Sequence, residues 1–289
     1  MKSSKNTIIV TGGAGFVGSN LIESLSKENN QITSLDCYFS GTEKNHIDGV
    51  NYVKGYTWDI DKIFKNDKFD IIYHFGEYSR IVYSFEDINF VTESILRGTP
   101  KVIEFTKKLN AKLIYSASSS KFGNNGDDQD LSPYAWMKSK MVELIKNYNK
   151  WFDLDYEICY FFNVYGPRQI YEGKYATVVA IFEKQFLNNE TITVVKPGTQ
   201  SRDFTHVNDI IDCLNLISKK SLCHEWHIRT GKNIKIIDLA KLFSSKYKYI
   251  EERKGERFTS EEICSDTNSL LNWNPKENLE DWIAKVKKK

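Results

Sequence analysis

The sequence predicts a doubly wound α/β fold, a parallel sheet covered by helices on both faces, followed by a smaller C-terminal α/β lobe. Three observations carry this expectation. Short apolar runs alternate with helix-length amphipathic stretches through the first 162 residues. A glycine-rich turn joins the first run to the first helix, and beyond Gly166-Pro167-Arg168 the alternation loosens into shorter elements. Strand and helix taking turns is the pattern of a parallel sheet whose crossovers cover both faces.

In chain order, residues 7–10 read as a buried strand, 19–27 as a helix, 31–35 as a second strand and 51–53 as a short third one. Residues 69–75, with Ile71, Ile72 and Tyr73, form a fourth strand, and 91–109 a helix. Residues 112–116 are a strand, 134–151 a long helix and 156–162 a further strand. Later, 191–195 and 226–229 are strand-like, and 208–218 and 236–243 helical. The division expected is residues 1–168 as a nucleotide-binding domain, with elements of about 203–230 returning to it. Residues 169–289 are then mainly a substrate lobe.

Composition narrows the partners. A chain of 289 residues that is 40% hydrophobic can bury a full core. Forty basic against 38 acidic residues leave a net charge of +2, which offers nucleic acid no electrostatic footprint. The basic tail of Lys285 and Lys287 to Lys289 reads as a solvated C-terminus. The 5 cysteines are dispersed and odd in number, which fits a reducing cytoplasm better than a disulfide framework. Cys223, His224 and His227 lack a fourth ligand nearby and sit in a strand-like run, so no metal is expected. No apolar run approaches a membrane span, and the first strand begins almost at once; a soluble, cytoplasmic protein without a membrane partner is expected.

The first strand runs into Thr11-Gly12-Gly13-Ala14-Gly15-Phe16-Val17-Gly18. Glycines at 12, 15 and 18 serve a tight turn, a close approach of backbone to a pyrophosphate, and close packing of helix on strand. The N–H groups of the helix that follows offer partial positive charge to phosphates. Gly12, Gly15, Phe16, Val17 and Gly18 are therefore candidate cofactor contacts in a Rossmann-type unit. Asp36 closes the second strand; a carboxylate there accepts hydrogen bonds from ribose hydroxyls and repels a 2′-phosphate, which selects NAD. Asp59, after the short third strand, is a candidate partner for the adenine amino group.

Tyr134 and Lys138 lie four apart, one turn apart on one helix face. A phenol titrates near 10 in water, so it needs a neighbouring cation to act as a base near neutrality. Ser116-Ala117-Ser118-Ser119-Ser120 follows a strand at the sheet edge where ligands bind in such folds. A tyrosine and a lysine at this spacing are common on helices for packing alone; the glycine turn and the serine run favour chemistry.

These motifs together resemble an extended short-chain dehydrogenase/reductase of the NAD-dependent epimerase/dehydratase family, in its UDP-glucose 4-epimerase-like form. The likeness spans nearly the whole chain. It includes Ser132-Pro133-Tyr134 to Lys138, Phe162 to Arg168, Ser201-Arg202-Asp203 into Asp209, and Arg253-Lys254-Gly255-Glu256. The resemblance implies Ser118 as the catalytic serine, Tyr134 as base and acid, and Lys138 as its tuner, with both helix residues also touching the cofactor. It implies that Asn163, Arg202 and Arg253 hold the diphosphate and ribose of a nucleotide sugar, a task suited to guanidinium forks. Two helices, 91–109 and 134–151, pair into a dimer interface in relatives, and a homodimer is implied.

The departures discriminate among reactions. Ser119 and Ser120 stand where dehydratases of this family carry an Asp-Glu pair, and a decarboxylase would be expected to carry glutamate at Ser120. Ile95 replaces a frequent asparagine, Tyr160 a frequent arginine, and the segment between Gly123 and Tyr134 looks short. Glu77-Tyr78-Ser79-Arg80 replaces an Ala-Ala run beside the expected sugar, which makes Glu77, Arg80 and Ser119 candidate substrate contacts; a Glu77–Arg80 ion pair is equally compatible. Tyr171, Lys174, Tyr175 and Thr177 are further candidates. The implied reaction is epimerisation of a nucleotide sugar, C4 of a UDP-hexose by family frequency. A one-way dehydrogenase or ketoreductase, or a non-catalytic binder, are the alternatives.

Overall fold

The computed structural model describes residues 5–122, 129–253 and 265–288. Its main sheet uses β1 (Thr7–Thr11), β2 (Gln31–Asp36), β3 (Asn51–Lys54), β4 (Ile71–His74), β5 (Lys112–Ser118) and β6 (Tyr156–Phe161). A seventh strand, β10 (Glu225–Ile228), is added late in the chain. The order across the sheet is β10-β6-β5-β4-β1-β2-β3, and every neighbouring pair is parallel. Strand order reverses between β1 and β4, which opens a crevice at their C-terminal ends.

Side-chain alternation builds the two faces. Ile9, Ile72, Leu113, Tyr115, Ile158 and Tyr160 pack into one core, against the helices Thr99–Leu109 and Pro133–Phe152. Ile8, Val10, Tyr73, Ile114 and Cys159 fill the other. Leu21 and Ile22 of the helix Phe16–Leu25 cover that second face together with Ile210, Leu214 and Ile217 of the helix Val207–Ile217. Residues of the later chain thus complete the first sheet.

Several elements differ from the sequence expectation at their ends. The first helix starts at Phe16, inside the glycine turn. β5 continues to Ser118, because Ser116 to Ser118 pair in register with Cys159 to Phe161. The helix expected over 91–109 is interrupted: Glu93–Gly98 is a wide π-type turn, and Thr99–Leu109 follows with Pro100 in its first turn. Proline has no N–H for the carbonyl one turn back, so the ladder opens ahead of it. The long helix begins at Pro133, with the Ser132 hydroxyl accepting from Ala135 N at 3.1 Å.

The smaller lobe contains two short sheets. In one, β9 (Ser201–His206) lies between β7 (Asn163–Tyr165), parallel, and β11 (Asn233–Lys235), antiparallel. In the other, β8 (Ile192–Val195) pairs in parallel with β12 (Tyr247–Ile250). Phe182, Ile192, Val194, Phe204, Leu239, Phe243, Ile283 and Val286 form its core. Asp203 couples this lobe to the end of β10. Its buried carboxylate accepts from Thr230 N at 3.1 Å, Thr230 Oγ1 at 2.7 Å and Gly231 N at 2.8 Å, and pairs with Arg229 Nε at 3.3 Å.

Removing that carboxylate takes away the acceptor of three hydrogen bonds and the ion pair of Arg229. Asp203→Ala is therefore expected to lower the unfolding free energy by about 3 kcal/mol or more. Urea unfolding of the purified variant checks this; an unchanged midpoint and slope would refute the coupling role.

Candidate active site

The crevice between β1 and β4 opens into a cavity of about 510 Å³. Its nucleotide end is built by backbone. Gly12 has φ +73°, and a Cβ there would meet Gly76 N and the Phe75 carbonyl at 2.9 Å. A Cβ on Gly18 would stand 2.2 Å from the Gly12 carbonyl oxygen. Only glycine lets the helix press this close to the turn, which leaves a cradle in front of the helix N-terminus at Gly15. Gly12, Gly15, Phe16, Val17, Gly18 and Asp36 all line the cavity, so the cradle fits a dinucleotide.

Asp36 ends β2 with its carboxylate accepting from Ala14 N at 2.9 Å and Tyr38 N at 2.8 Å. Burial raises its carboxyl, and those backbone N–H groups oppose the rise. Asp59 is placed differently from the other candidates. It sits in a short turn, pairs with Lys62 at 2.8 Å and does not line the cavity; its neighbours Thr57 and Trp58 do. Nothing in the local sequence distinguished the three, because a tight turn decides which side chain faces inward.

The chemical end gathers Ser118, Tyr134 and Lys138. Ser118 ends β5 and lines the cavity with Tyr134, while its Oγ accepts from Ser120 N at 3.2 Å and lies 2.9 Å from Ser120 Oγ. Ser119 is buried in the turn that follows and also lines the cavity. Tyr134 and Lys138 occupy the first turns of the helix Pro133–Phe152, both almost wholly buried. Lys138 Nζ donates to the Ser116 carbonyl and to Glu77, and stands 4.3 Å from the centre of the Tyr115 ring.

Glu77 is the unexpected centre of the site. Its side chain is 2% exposed and is held by Lys138, by Thr99 Oγ1 at 2.5 Å and by Tyr115 Oη at 3.2 Å. Thr99 Oγ1 in turn lies 3.0 Å from His74 Nε2, and His74 Nδ1 lies 2.8 Å from Thr11 Oγ1. Thr11 Oγ1 accepts from Gly76 N at 2.9 Å. Because Thr99 donates to the carboxylate, His74 must donate through Nε2 and accept through Nδ1. Burial lowers the His74 imidazole to about 4, which keeps it neutral in that role. The sequence reading singled out Glu77 but gave no role to Thr11, His74, Thr99 or Tyr115, which are scattered over four elements and share no common motif. It also left open a Glu77–Arg80 pair; Glu77 instead binds Lys138.

Burial pushes the Tyr134 phenol up to about 12; the Ser118 hydrogen bond lowers it, the Glu77 carboxylate raises it and the Arg80 guanidinium lowers it. Burial pushes the Lys138 ammonium down, and Glu77 opposes that shift. Asn163 and Arg202, at the start of β7 and in β9, and Arg253 line the cavity on the lobe side. Asn163 Nδ2 donates to the Asp203 carbonyl at 3.1 Å. Lys174 and Thr177 line it too, whereas Tyr171 and Tyr175 do not, and Lys174 is paired with Asp87 at 2.8 Å. Gly123 and Lys254 to Glu256 lie outside the described residues. Among the described residues, no cluster of three or more metal-ligating side chains exists; His224 pairs with Asp266 at 2.9 Å.

Comparison with known proteins follows this geometry. Residues 8–226 match the model of the NAD dependent epimerase/dehydratase family. A Methanocaldococcus jannaschii protein provisionally named a UDP-glucose 4-epimerase is 28% identical over 297 residues, covering 96% of each chain. UDP-glucuronic acid decarboxylase 3 of Arabidopsis thaliana is 26% identical over 305 residues, 96% of this chain and 86% of its own. The structure of UDP-N-acetylglucosamine 4-epimerase from Methanobrevibacter ruminantium matches with a TM-score of 0.88 at 27% identity, over 99% of this chain and 98% of that one.

Glu77→Gln removes a negative charge beside Tyr134 and releases the Lys138 ammonium. Both changes favour the phenolate, so the limb of kcat/KM that rises with pH is expected to move down by roughly one pH unit. A pH–rate profile of the variant checks this, and a limb that stays in place or moves up would refute it.

Proposed function

The chain belongs to the NAD-dependent epimerase/dehydratase family, and we propose that within it the protein is a nucleotide-sugar epimerase, inverting C4 of a UDP-hexose through a transient ketone. The family alone does not choose the reaction, since decarboxylases stand among its members beside epimerases. The observation that carries the choice is the turn after Ser118. Ser119 and Ser120 occupy it where elimination of water would need an acid and a base, while Ser118 and Tyr134 line the cavity beside it.

The cofactor is NAD, which supplies, when bound, a reversible acceptor for the two electrons of a carbinol C–H bond. Gly12, Gly15, Phe16, Val17 and Gly18 would hold its pyrophosphate, and Asp36 its ribose hydroxyls. Tyr134 Oη takes the proton of the sugar hydroxyl and later returns it. Ser118 holds the same oxygen, which fixes the carbinol at the tyrosine throughout. Lys138 keeps positive charge under this pair through its carbonyl and carboxylate contacts. Asn163, Arg202 and Arg253 would grip the nucleotide diphosphate, leaving the sugar free to present either face once it is a ketone. Residues 1–168, with returning elements of about 203–230, form the cofactor domain in this reading, and 169–289 the substrate lobe, acting in the cytoplasm.

The test is incubation of purified protein and NAD with UDP-, ADP-, GDP- and dTDP-sugars, reading sugar identity by NMR and reduced nicotinamide by absorbance. A new epimer without net reduced cofactor is expected, and Tyr134→Phe should lower the rate by about a thousandfold. Stoichiometric reduced cofactor with a keto product would make the protein a dehydrogenase instead. Full biological activity of Tyr134→Phe would mark a non-catalytic binder.

A homodimer belongs to the same proposal. Trp136 and Trp151 are 42% and 59% exposed on the helix Pro133–Phe152, although Met137, Met141 and Ile145 of that helix are core. Light scattering is expected to give twice the chain mass, and Trp136→Lys to reduce it; a wild-type monomer would refute the dimer.

A further inference from the structure

We propose that the ring of Tyr56 recognises the adenine of the cofactor and leaves its 6-amino group unread, so that the site also takes a dinucleotide carrying a 6-oxopurine. This rests on the cofactor ribose lying at Asp36, as in the reading above, and not on the choice of sugar reaction. β3 runs parallel beside β2 with Lys54 opposite Asp36, and Gly55 N donates to the Asp36 carbonyl at 3.0 Å. The chain therefore leaves β3 for Tyr56 and Trp58 next to the residue that faces the ribose. The base is attached to that same ribose, and Leu35, Tyr56, Thr57 and Trp58 all line the cavity. The rings of Tyr56 and Trp58 lie stacked, with centroids 4.1 Å apart and an interplanar angle of 9°, and the Arg97 guanidinium stands over Trp58 at 5.6 Å. Trp58 is thus engaged by its neighbours, whereas Tyr56 remains 44% exposed.

A flat ring held in place by a second ring is a platform for a purine, and stacking tolerates different ring substituents because every base has a π-face. Reading the amino group would instead need an acceptor, and those nearby are engaged. Among the described residues, the acids lining the cavity are Asp36 and Glu77. Asp36 serves the ribose, and Glu77 is enclosed by Lys138, Thr99 and Tyr115 at the chemical end. Asp59 pairs with Lys62 and does not line the cavity. The Tyr56 carbonyl accepts from Asp59 N at 3.1 Å, and the Thr57 carbonyl accepts from Ile60 N. Thr57 Oγ1 lies against Gly98, where a Cβ would stand 2.4 Å from it. A carboxylate at the base would demand an amino group; an aromatic face makes no such demand.

The experiment titrates cofactor-free protein with NAD, nicotinamide hypoxanthine dinucleotide and NADP by calorimetry, in the wild type, Tyr56→Phe and Tyr56→Ala. The wild type is expected to bind NAD and the hypoxanthine dinucleotide within about threefold of each other, Tyr56→Phe to match it, and Tyr56→Ala to bind both about tenfold more weakly. The wild-type comparison needs no variant to fold. Hypoxanthine dinucleotide bound at least about tenfold more weakly than NAD by the wild type would overturn the inference while leaving the cofactor placement intact, since a donor–acceptor pair would then read the amino group. Tyr56→Ala binding NAD as the wild type does, or Tyr56→Phe losing affinity as Tyr56→Ala should, would also overturn it. NADP bound as tightly as NAD would overturn the placement of the ribose at Asp36, and the inference with it.

Discussion

A carboxylate buried at the fork of a parallel sheet must be surrounded by donors, and that requirement organises this molecule's centre. Glu77 sits just past β4 with its side chain closed off from solvent, and three elements supply its partners: Thr99 after the π-type turn, Tyr115 from β5 and Lys138 from the long helix. The chain of hydrogen bonds continues through His74 to Thr11, which also caps the backbone at Gly76. The ends of β1, β4 and β5 are thereby tied together at the point where strand order reverses. Losing one partner of a buried ion pair typically costs 3–5 kcal/mol or about that, because the other charge is stranded. The network therefore holds the floor of the cavity rigid as well as charged.

The same network sets the charges around Tyr134. The expectation from the resemblance is a lysine that tunes Tyr134. In the structure the Lys138 ammonium pairs with Glu77, whose carboxylate raises the phenol while the Arg80 guanidinium lowers it. The four-residue segment Glu77-Tyr78-Ser79-Arg80 thus supplies both signs to the site. Its acid turns inward to Lys138, and its base stays on the cavity wall. Two neighbouring side chains of opposite charge did not pair because the backbone points them toward different partners, one toward β5 and the other toward the carbonyl of Tyr175.

Much of the architecture was readable before any coordinates because it follows from local rules. β-Branched runs with glycine or polar ends became strands, and the serine before Pro133 capped the helix that carries Tyr134 and Lys138. The glycine spacing foretold a backbone cradle, since no other residue tolerates a 2.2 Å approach at Gly18. What the strand and helix patterns missed were irregularities inside a helix and the partner each charged side chain finds. The helix over 91–109 carries a π-type turn at Glu93–Gly98, ahead of Pro100, and Asp59 pairs with Lys62.

Periodicity and the glycine turn sufficed for the parallel α/β class, Asp36 at the end of the second strand pointed to NAD, and the resemblance of motifs spread along the chain pointed to the family, because each motif is a run of residues close together in the chain. The electrostatic design of the site depends on groups far apart in sequence: Thr11, His74, Glu77, Thr99, Tyr115 and Lys138 come from separate elements and meet only when the sheet closes. Whether an ionisable side chain is a ligand, a partner or a bystander is set by burial and by which neighbours answer its charge, and both are properties of packing in three dimensions.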